Sequence, residues 1–469
     1  MSAMPTPAAT ENMVLLKPTL HVEVIVRKEK QSTKPVDLQR LRRDLHQWFI
    51  NSHATVKVGK EIILDDDPCL KLVERVDVAD YTGPSNTLGY FDTDSVQLDL
   101  QAYIFKAESE IEGRRSIRQD ADTDMPQARV LALPNVILKD ESDSLVFDDG
   151  LPSRLLRYLV RMIGMMRQPG LTLATFNWNR LCLLHGPPGS GKSTLCRALA
   201  QKLSIRLGQT FPRATLIELN TSSMLSKYFG ESGKLISSML SKYFGESGKL
   251  ISATFERVYA AAQDPGTLIC VVMDEVETIA GSRERSTASN ECNDGMRATN
   301  QLLTALDRLR HLPNVIVLCT SNLISAIDQA FLDRVDIKQL VPSPSPAAIY
   351  NILRSCLNEL IRSNLVNATT TTTVQTPEQT WTLLSPPPNL PTLSHVQIHL
   401  MDPTQSHTPG YRVWALASQK CAGFSGRTLR RLPILGLAMY TWGGESVTLE
   451  EAVAALEAAV EQEVRGMKL

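Results

Sequence analysis

Apolar residues alternate with others at Leu20, Val22, Val24 and Val26, the period of two expected of a strand. Beyond them Leu38, Leu41, Leu45 and Trp48 fall on one helical stripe. A second alternating run, Val96, Leu98, Leu100 and Ala102 through Phe105, predicts another strand, and the polar stretch Glu108–Gln127 a loop. Together they predict a small N-terminal α+β domain over residues 20–130, behind a flexible leader at 1–19. From about residue 140 the texture changes. Short apolar runs at Leu181–Leu184, Ala214–Leu219, Leu268–Met273 and Val315–Cys319 alternate with long helical patterns, the mark of a parallel sheet with crossover helices. This α/β, doubly wound unit is expected over 140–343. Residues 344–469 read as a helical lid, interrupted at 364–410 by an insertion holding Thr369–Thr373 and Pro386–Pro388, expected as a mobile loop. The last helix opens on the capping box Thr448-x-x-Glu451 and carries Leu449, Val453, Leu456 and Val460 on one face.

Composition narrows the class. The chain has 469 residues, 43% hydrophobic and 21% charged, the balance of a soluble globular protein of two or three domains. Its 49 Lys and Arg against 50 Asp and Glu leave no basic footprint, which argues against direct nucleic-acid binding. The cysteines are scattered without a C-x-x-C pair, as in a reducing compartment. No secretory signal and no apolar run of membrane-spanning length is visible, so a soluble intracellular protein without a membrane partner is expected.

The chemistry starts at Gly186-Pro187-Pro188-Gly189-Ser190-Gly191-Lys192-Ser193, a full G-x-x-x-x-G-K-[ST] phosphate loop continued by Thr194. It has the required strand before it and the helical run Leu195–Leu203 after it. Glycines let the backbone amides turn inward around ATP phosphates. Lys192 is expected to reach the β- and γ-phosphates and Ser193 to ligate Mg²⁺. The strand Leu268–Met273 ends in Asp274 and Glu275, delivering both acids to the edge where ligands bind. Asp274 is expected in the Mg²⁺ shell, with Glu275 aiming the attacking water. Thr320-Ser321-Asn322 ends the next apolar strand; Asn322 offers an amide to phosphate or water, although alone it also fits a turn. Arg427, in Gly423-Phe424-Ser425-Gly426-Arg427, can reach the phosphates from the lid or be a solvated surface charge.

In this order, GPPGSGKST, VVMDEVE, CTSN and GFSGR resemble the AAA+ ATPases. The run Asn177-Trp178-Asn179-Arg180, SKYFGESGK, FLDRVDIKQ at Phe331–Gln339 and SGRTLRRLP at Ser425–Pro433 resemble one branch, the pachytene checkpoint protein 2 family. The resemblance is strong over 140–360 and 412–469 and fainter over 20–130. It implies a P-loop AAA+ core with a helical lid, assembled as a homohexamer. It also implies ATP-driven remodelling of HORMA-domain proteins, sometimes presented by an adaptor, whose N-terminal segment enters the pore. The setting implied is meiotic checkpoint control on chromosomes, in the nucleus or also the cytoplasm. Alternatives are another AAA+ unfolding or severing job, or a nucleotide-gated scaffold with little turnover.

Carried over residue by residue, the aromatic pore loop matches Tyr228 and Phe229 or their duplicates Tyr243 and Phe244, because Ser222–Ile236 is repeated without change at Ser237–Ile251. The second copy runs straight into the helical pattern Leu250–Gln263, which favours it as the working loop. A perfect tandem copy of this kind reads as a recent duplication or a faulty gene model more readily than as a working insertion, and it is no solenoid, which needs several units. Arg334, in Leu332-Asp333-Arg334-Val335, matches the region of the arginine that acts on the neighbouring subunit's site. Relatives often have two arginines there; this chain has one, followed by Lys338, so the completing cation stays open. Two further signals are declined. His395 and His399 lack the Glu of a zinc-protease helix, and Asp65-Asp66-Asp67 fits an exposed turn.

Overall fold

The computed structural model describes residues 17–27, 37–64, 67, 70–83, 89–107, 128–168, 178–221, 246–281, 292–367, 371–376, 379–384, 389–399, 407–441 and 447–467. The alternative pore-loop residues Tyr228, Phe229, Tyr243 and Phe244 lie outside them. So do Asp65, Asp66, Asn177, the stretch Glu108–Gln127 and most of the leader.

The N-terminal unit contains β1 (Thr19–Val26), α1 (Leu38–Ser52), β2 (Thr55–Lys57), β3 (Glu61–Ile62), β4 (Val73–Tyr81), β5 (Tyr90–Asp92) and β6 (Gln97–Tyr103). Helix α1 starts where the Asp37 carboxylate accepts from the amides of Gln39 and Arg40, satisfying two donors that the first turn leaves open. Its stripe of Leu41, Leu45 and Trp48, with Phe49, packs on Leu20, Val22 and Val24 of β1. The sheet order is β3-β4-β1-β6, with β1 antiparallel to β4 and parallel to β6. The alternation in β1 predicts one wet face, yet both are buried: His21 and Glu23, on the polar side, are covered as well. Their cover comes from the next domain.

That domain is built on a six-stranded sheet of order β12-β8-β11-β10-β9-β7. It begins one strand earlier than expected. Strand β7 (Ala128–Leu133) pairs antiparallel with β9 (Arg213–Asn220), so the boundary drawn at residue 130 falls inside a strand of the second sheet. Short helix α2 (Glu141–Ser144) and α3 (Leu151–Met166) precede β8 (Leu181–His185), which leads into α4 (Lys192–Arg206). After β9 come α5 (Glu246–Ala261), β10 (Thr267–Asp274), α6 (Cys292–Leu309), β11 (Val315–Ser321), α7 (Gln329–Leu332) and β12 (Ile337–Leu340). Strands β8 to β12 are mutually parallel. In β10, Leu268, Cys270 and Val272 face one core while Ile269, Val271 and Met273 face the other. Helices on both faces are why this strand reads as a continuous apolar run.

The lid holds α8 (Pro346–Arg362), β13 (Val366–Asn367), β14 (Thr371–Thr376), β15 (Gln379–Leu384), α9 (Leu393–His399), α10 (Pro409–Gln419), α11 (Gly426–Tyr440), β16 (Val447–Thr448) and α12 (Leu449–Met467). The insertion expected as a loop therefore contains an antiparallel hairpin, β14–β15, and a short helix. Threonine-rich segments of that kind have β propensity, which the low-complexity reading underweighted. The predicted capping box is present: Glu451 donates its amide to Thr448 Oγ1 (3.3 Å) and accepts from the Thr448 amide (2.9 Å).

Candidate nucleotide site

Between the parallel sheet and the lid lies a cavity of about 700 Å³. Its floor is the loop joining β8 to α4. There, Gly186 and Gly189 have φ of +145° and +72°, and a Cβ on Gly186 would collide with the Val341 carbonyl. A Cβ on Gly189 would come within 2.7 Å of the Ser425 side chain, which belongs to the lid. The loop thus turns under close lid contact that only glycine permits.

Helix α4 begins at Lys192, so its open amides face the cavity. The Lys192 ammonium donates to the Gly186 carbonyl (2.9 Å) and the Pro187 carbonyl (2.7 Å). Burial lowers the Lys192 pKa, and the nearby Asp274 carboxylate opposes that shift. Ser193 Oγ donates to Asp274 Oδ1 at 2.7 Å, and Thr320 Oγ1 binds the same carboxylate oxygen. Ser190 Oγ is buried without a hydrogen-bond partner among the described residues.

Opposite the loop, β10 delivers Asp274 at its end and then turns sharply. Glu275 takes φ +52°, a left-handed conformation uncommon outside glycine. The turn is pinned from two sides: the Glu275 amide donates to Thr320 Oγ1 (3.1 Å), and Thr221 Oγ1 donates to the carbonyls of Asp274 and Glu275. A strained backbone held by several bonds is what fixed aim of a side chain requires. The Asn322 backbone N–H donates to Glu277 Oε1 (3.0 Å).

The residues nominated from the sequence converge. Pro188, Gly189, Ser190, Gly191, Lys192, Ser193, Thr194, Asp274, Glu275, Asn322 and Arg427 all line the one cavity. Gly186 and Pro187 do not, their carbonyls instead accepting from Lys192, and neither does Arg334, which sits beyond α7, paired with Asp307 of α6. Sequence reasoning missed the opposite wall, where Leu145, Val146 and Phe147 face Ala348 and Ile352 of α8. Those residues carry no motif and are apolar like any core, so only their position marks them. Thr320 and Glu277 were also missed, though both stand beside nominated acids or amides.

A phosphate loop, a strand ending in two acids and a helical lid closing over both define an ATP-hydrolysing enzyme of the AAA class. In agreement, residues 182–343 match the sequence model of the ATPase family associated with various cellular activities (AAA). Residues 345–464 match the TRIP13-like, AAA+ ATPase lid C-terminal domain, and residues 15–108 match the TRIP13 N-terminal domain. The chain is 31% identical over 451 residues to the pachytene checkpoint protein 2 homolog of Danio rerio, covering 96% of this chain and 95% of that one. It is 32% identical over 458 residues to the Homo sapiens homolog, covering 96% and 94%. The solved structure of C. elegans PCH-2 superposes with a TM-score of 0.66 at 25% identity, covering 95% of this chain and 99% of that one. The chain belongs to the pachytene checkpoint protein 2 family of AAA+ ATPases.

Proposed function

We propose that this ATPase works as a homohexameric ring that remodels HORMA-domain proteins, drawing their N-terminal segment into a central pore, on meiotic chromosomes in the nucleus. The single observation that carries the ATP-driven part is the convergence of Lys192, Ser193, Asp274, Glu275, Asn322 and Arg427 on one cavity. The HORMA target, with or without an adaptor, follows from family membership.

In the reading we favour, loop amides from Gly189 to Thr194 cradle the β- and γ-phosphates. Lys192 gives up its two loop carbonyls to reach the γ-phosphate. Ser193 and Asp274, already oxygen to oxygen at 2.7 Å, suit a hard cation and would hold Mg²⁺. Bound there, the metal would neutralise charge on the phosphates. Glu275, held by its pinned turn, orients the attacking water and draws its proton. Asn322 donates to that water or to the γ-phosphate, and Arg427 reports the lid's closure on the nucleotide. Arg334, outside its own cavity, serves the site of the neighbouring subunit. The apolar wall of Val146, Phe147 and Ile352 suits the adenine ring.

The test uses the purified full chain with a HORMA-domain protein closed around a fluorescent peptide. ATP-dependent peptide release by the wild type, absent with Glu275→Gln, is expected. Hydrolysis without release from any HORMA protein offered would leave a more general AAA+ unfoldase. Equal release by Glu275→Gln would sink the ATP-driven reading itself.

A further inference from the structure

We infer that Asp307 and Asn179 are positioning residues for Arg334, fixing its guanidinium so that a donor on each Nη is left for the neighbouring subunit; this rests on the trans-acting role proposed for Arg334. Three kinds of contact converge on that arginine. Asp307 Oδ1 and Oδ2 accept from Arg334 Nε and Nη2, both at 2.8 Å, a bidentate pair on the side-on edge. Arg334 Nη1 donates to the Ala330 carbonyl at 2.8 Å. Asn179 Nδ2 donates to the Arg334 carbonyl at 2.9 Å, holding the backbone.

A guanidinium has five N–H groups in a rigid plane. With the side-on edge given to Asp307 and one Nη1 hydrogen to Ala330, two hydrogens remain, one on each Nη. Neither makes a hydrogen bond among the described residues, so Arg334 keeps one donor on each Nη for a phosphate. The side chain is 29% exposed, so part of it is reachable from outside the subunit.

The anchoring groups are themselves tied to the base of the P-loop strand. Arg180, next to Asn179 and 2% exposed, donates through Nη2 to the carbonyls of Leu309 (3.1 Å) and Arg310 (2.7 Å), closing the end of the helix that carries Asp307. Asp336 accepts from the amides of Asn179 (3.2 Å) and Leu181 (3.1 Å). Strand β8 starts at Leu181 and runs into the phosphate loop. Asn179 is therefore two residues from the strand that runs into the subunit's own phosphate loop, and Asp307 lies on the helix whose end Arg180 closes.

Asp307→Asn, Asn179→Ala and Arg334→Ala, made in the full chain and assayed as assembled oligomers, test this. Asp307→Asn and Asn179→Ala are expected to lower kcat for ATP about tenfold or more with KM and nucleotide binding unchanged. Asp307→Glu should recover part of that loss. Adding Asp307→Asn to Arg334→Ala should cost nothing further. Mixing Asp307→Asn chains with Glu275→Gln chains should yield more activity than the sum of the two, because each supplies what the other lacks. Wild-type kcat in Asp307→Asn beside an impaired Arg334→Ala overturns the inference and leaves the role of Arg334 standing. Full activity of Arg334→Ala overturns that role itself. Weakened nucleotide binding in Asp307→Asn, or no gain on mixing, marks general damage and also overturns the inference.

Discussion

At the residue scale, polar side chains sealed in apolar surroundings do specific jobs. Asn314, 2% exposed, donates its amide nitrogen to the carbonyls of Ala262, Asp264 and Thr267, tying the end of α5 to the start of β10. Asn314→Ala should cost about 2 kcal/mol or more, since buried carbonyls lose their donor; a shifted urea midpoint would measure it. The thiols behave in the opposite manner. Burial pushes Cys182 and Cys270 up to about 12 and raises Cys319 and Cys196 well above the usual thiol range. Alkylation of the native chain at pH 8 should leave these four unmodified while Cys356, half-buried, reacts first among the described cysteines; rapid labelling of Cys196 would contradict the packing. In the site, Lys192→Ala should abolish nucleotide binding, whereas Glu275→Gln should keep it and lose about a hundredfold or more in turnover. Equal nucleotide retention by the two variants would contradict the roles assigned.

At the element scale, the lid depends on how closely α11 and α12 approach. Gly436 sits in the middle of α11, where a Cβ would lie 2.8 Å from the Ala455 carbonyl oxygen and 3.0 Å from its carbon. Backbone cannot yield there as a side chain end would. Gly436→Ala should therefore destabilise the lid by about 2 kcal/mol despite alanine's better helix propensity. An earlier lid transition in thermal unfolding is the expected outcome, and an unchanged one would mean the helices separate freely. The phosphate-loop helix α4 shows a different constraint. It is buried nearly all round, so its sequence has little helical amphipathicity; the phosphate loop, more than any apolar stripe, locates it.

At the scale of the whole molecule, the N-terminal unit docks on the far end of that same helix. Lys202 Nζ reaches Glu23 at 2.6 Å, and the Asp80 carboxylate lies 3.3 Å from Arg157 and 3.8 Å from Arg206. Gln201 exchanges two 2.9 Å hydrogen bonds with the backbone of Asn135, which in turn bridges to Lys106 at the end of the N-terminal unit. Glu23 is nearly sealed while Lys202 is about a quarter exposed, so Lys202→Ala strands a buried carboxylate at a cost of about 2 kcal/mol, discounted for the solvent beside the lysine. The expected result is a loosened N-terminal unit, seen as faster proteolysis between residues 107 and 128 with the ATPase core intact. Unchanged cleavage would show that the apolar contacts hold the docking without the ion pair.

What the sequence determined by itself was whatever local chemistry dictates: strand and helix periods, the phosphate loop, the two acids closing β10 and the capping box at Thr448. Each depends on residues a few positions apart, whose spacing is fixed by backbone geometry. Tertiary structure alone decided the rest. Strand β7 joined the second sheet because its partner β9 lies far along the chain, and β1 lost its wet face because α4 covers it. The apolar wall of the cavity and the Asp307–Arg334 pair arise likewise from segments that no periodicity links, brought together by the closing of the sheet and lid around their cores.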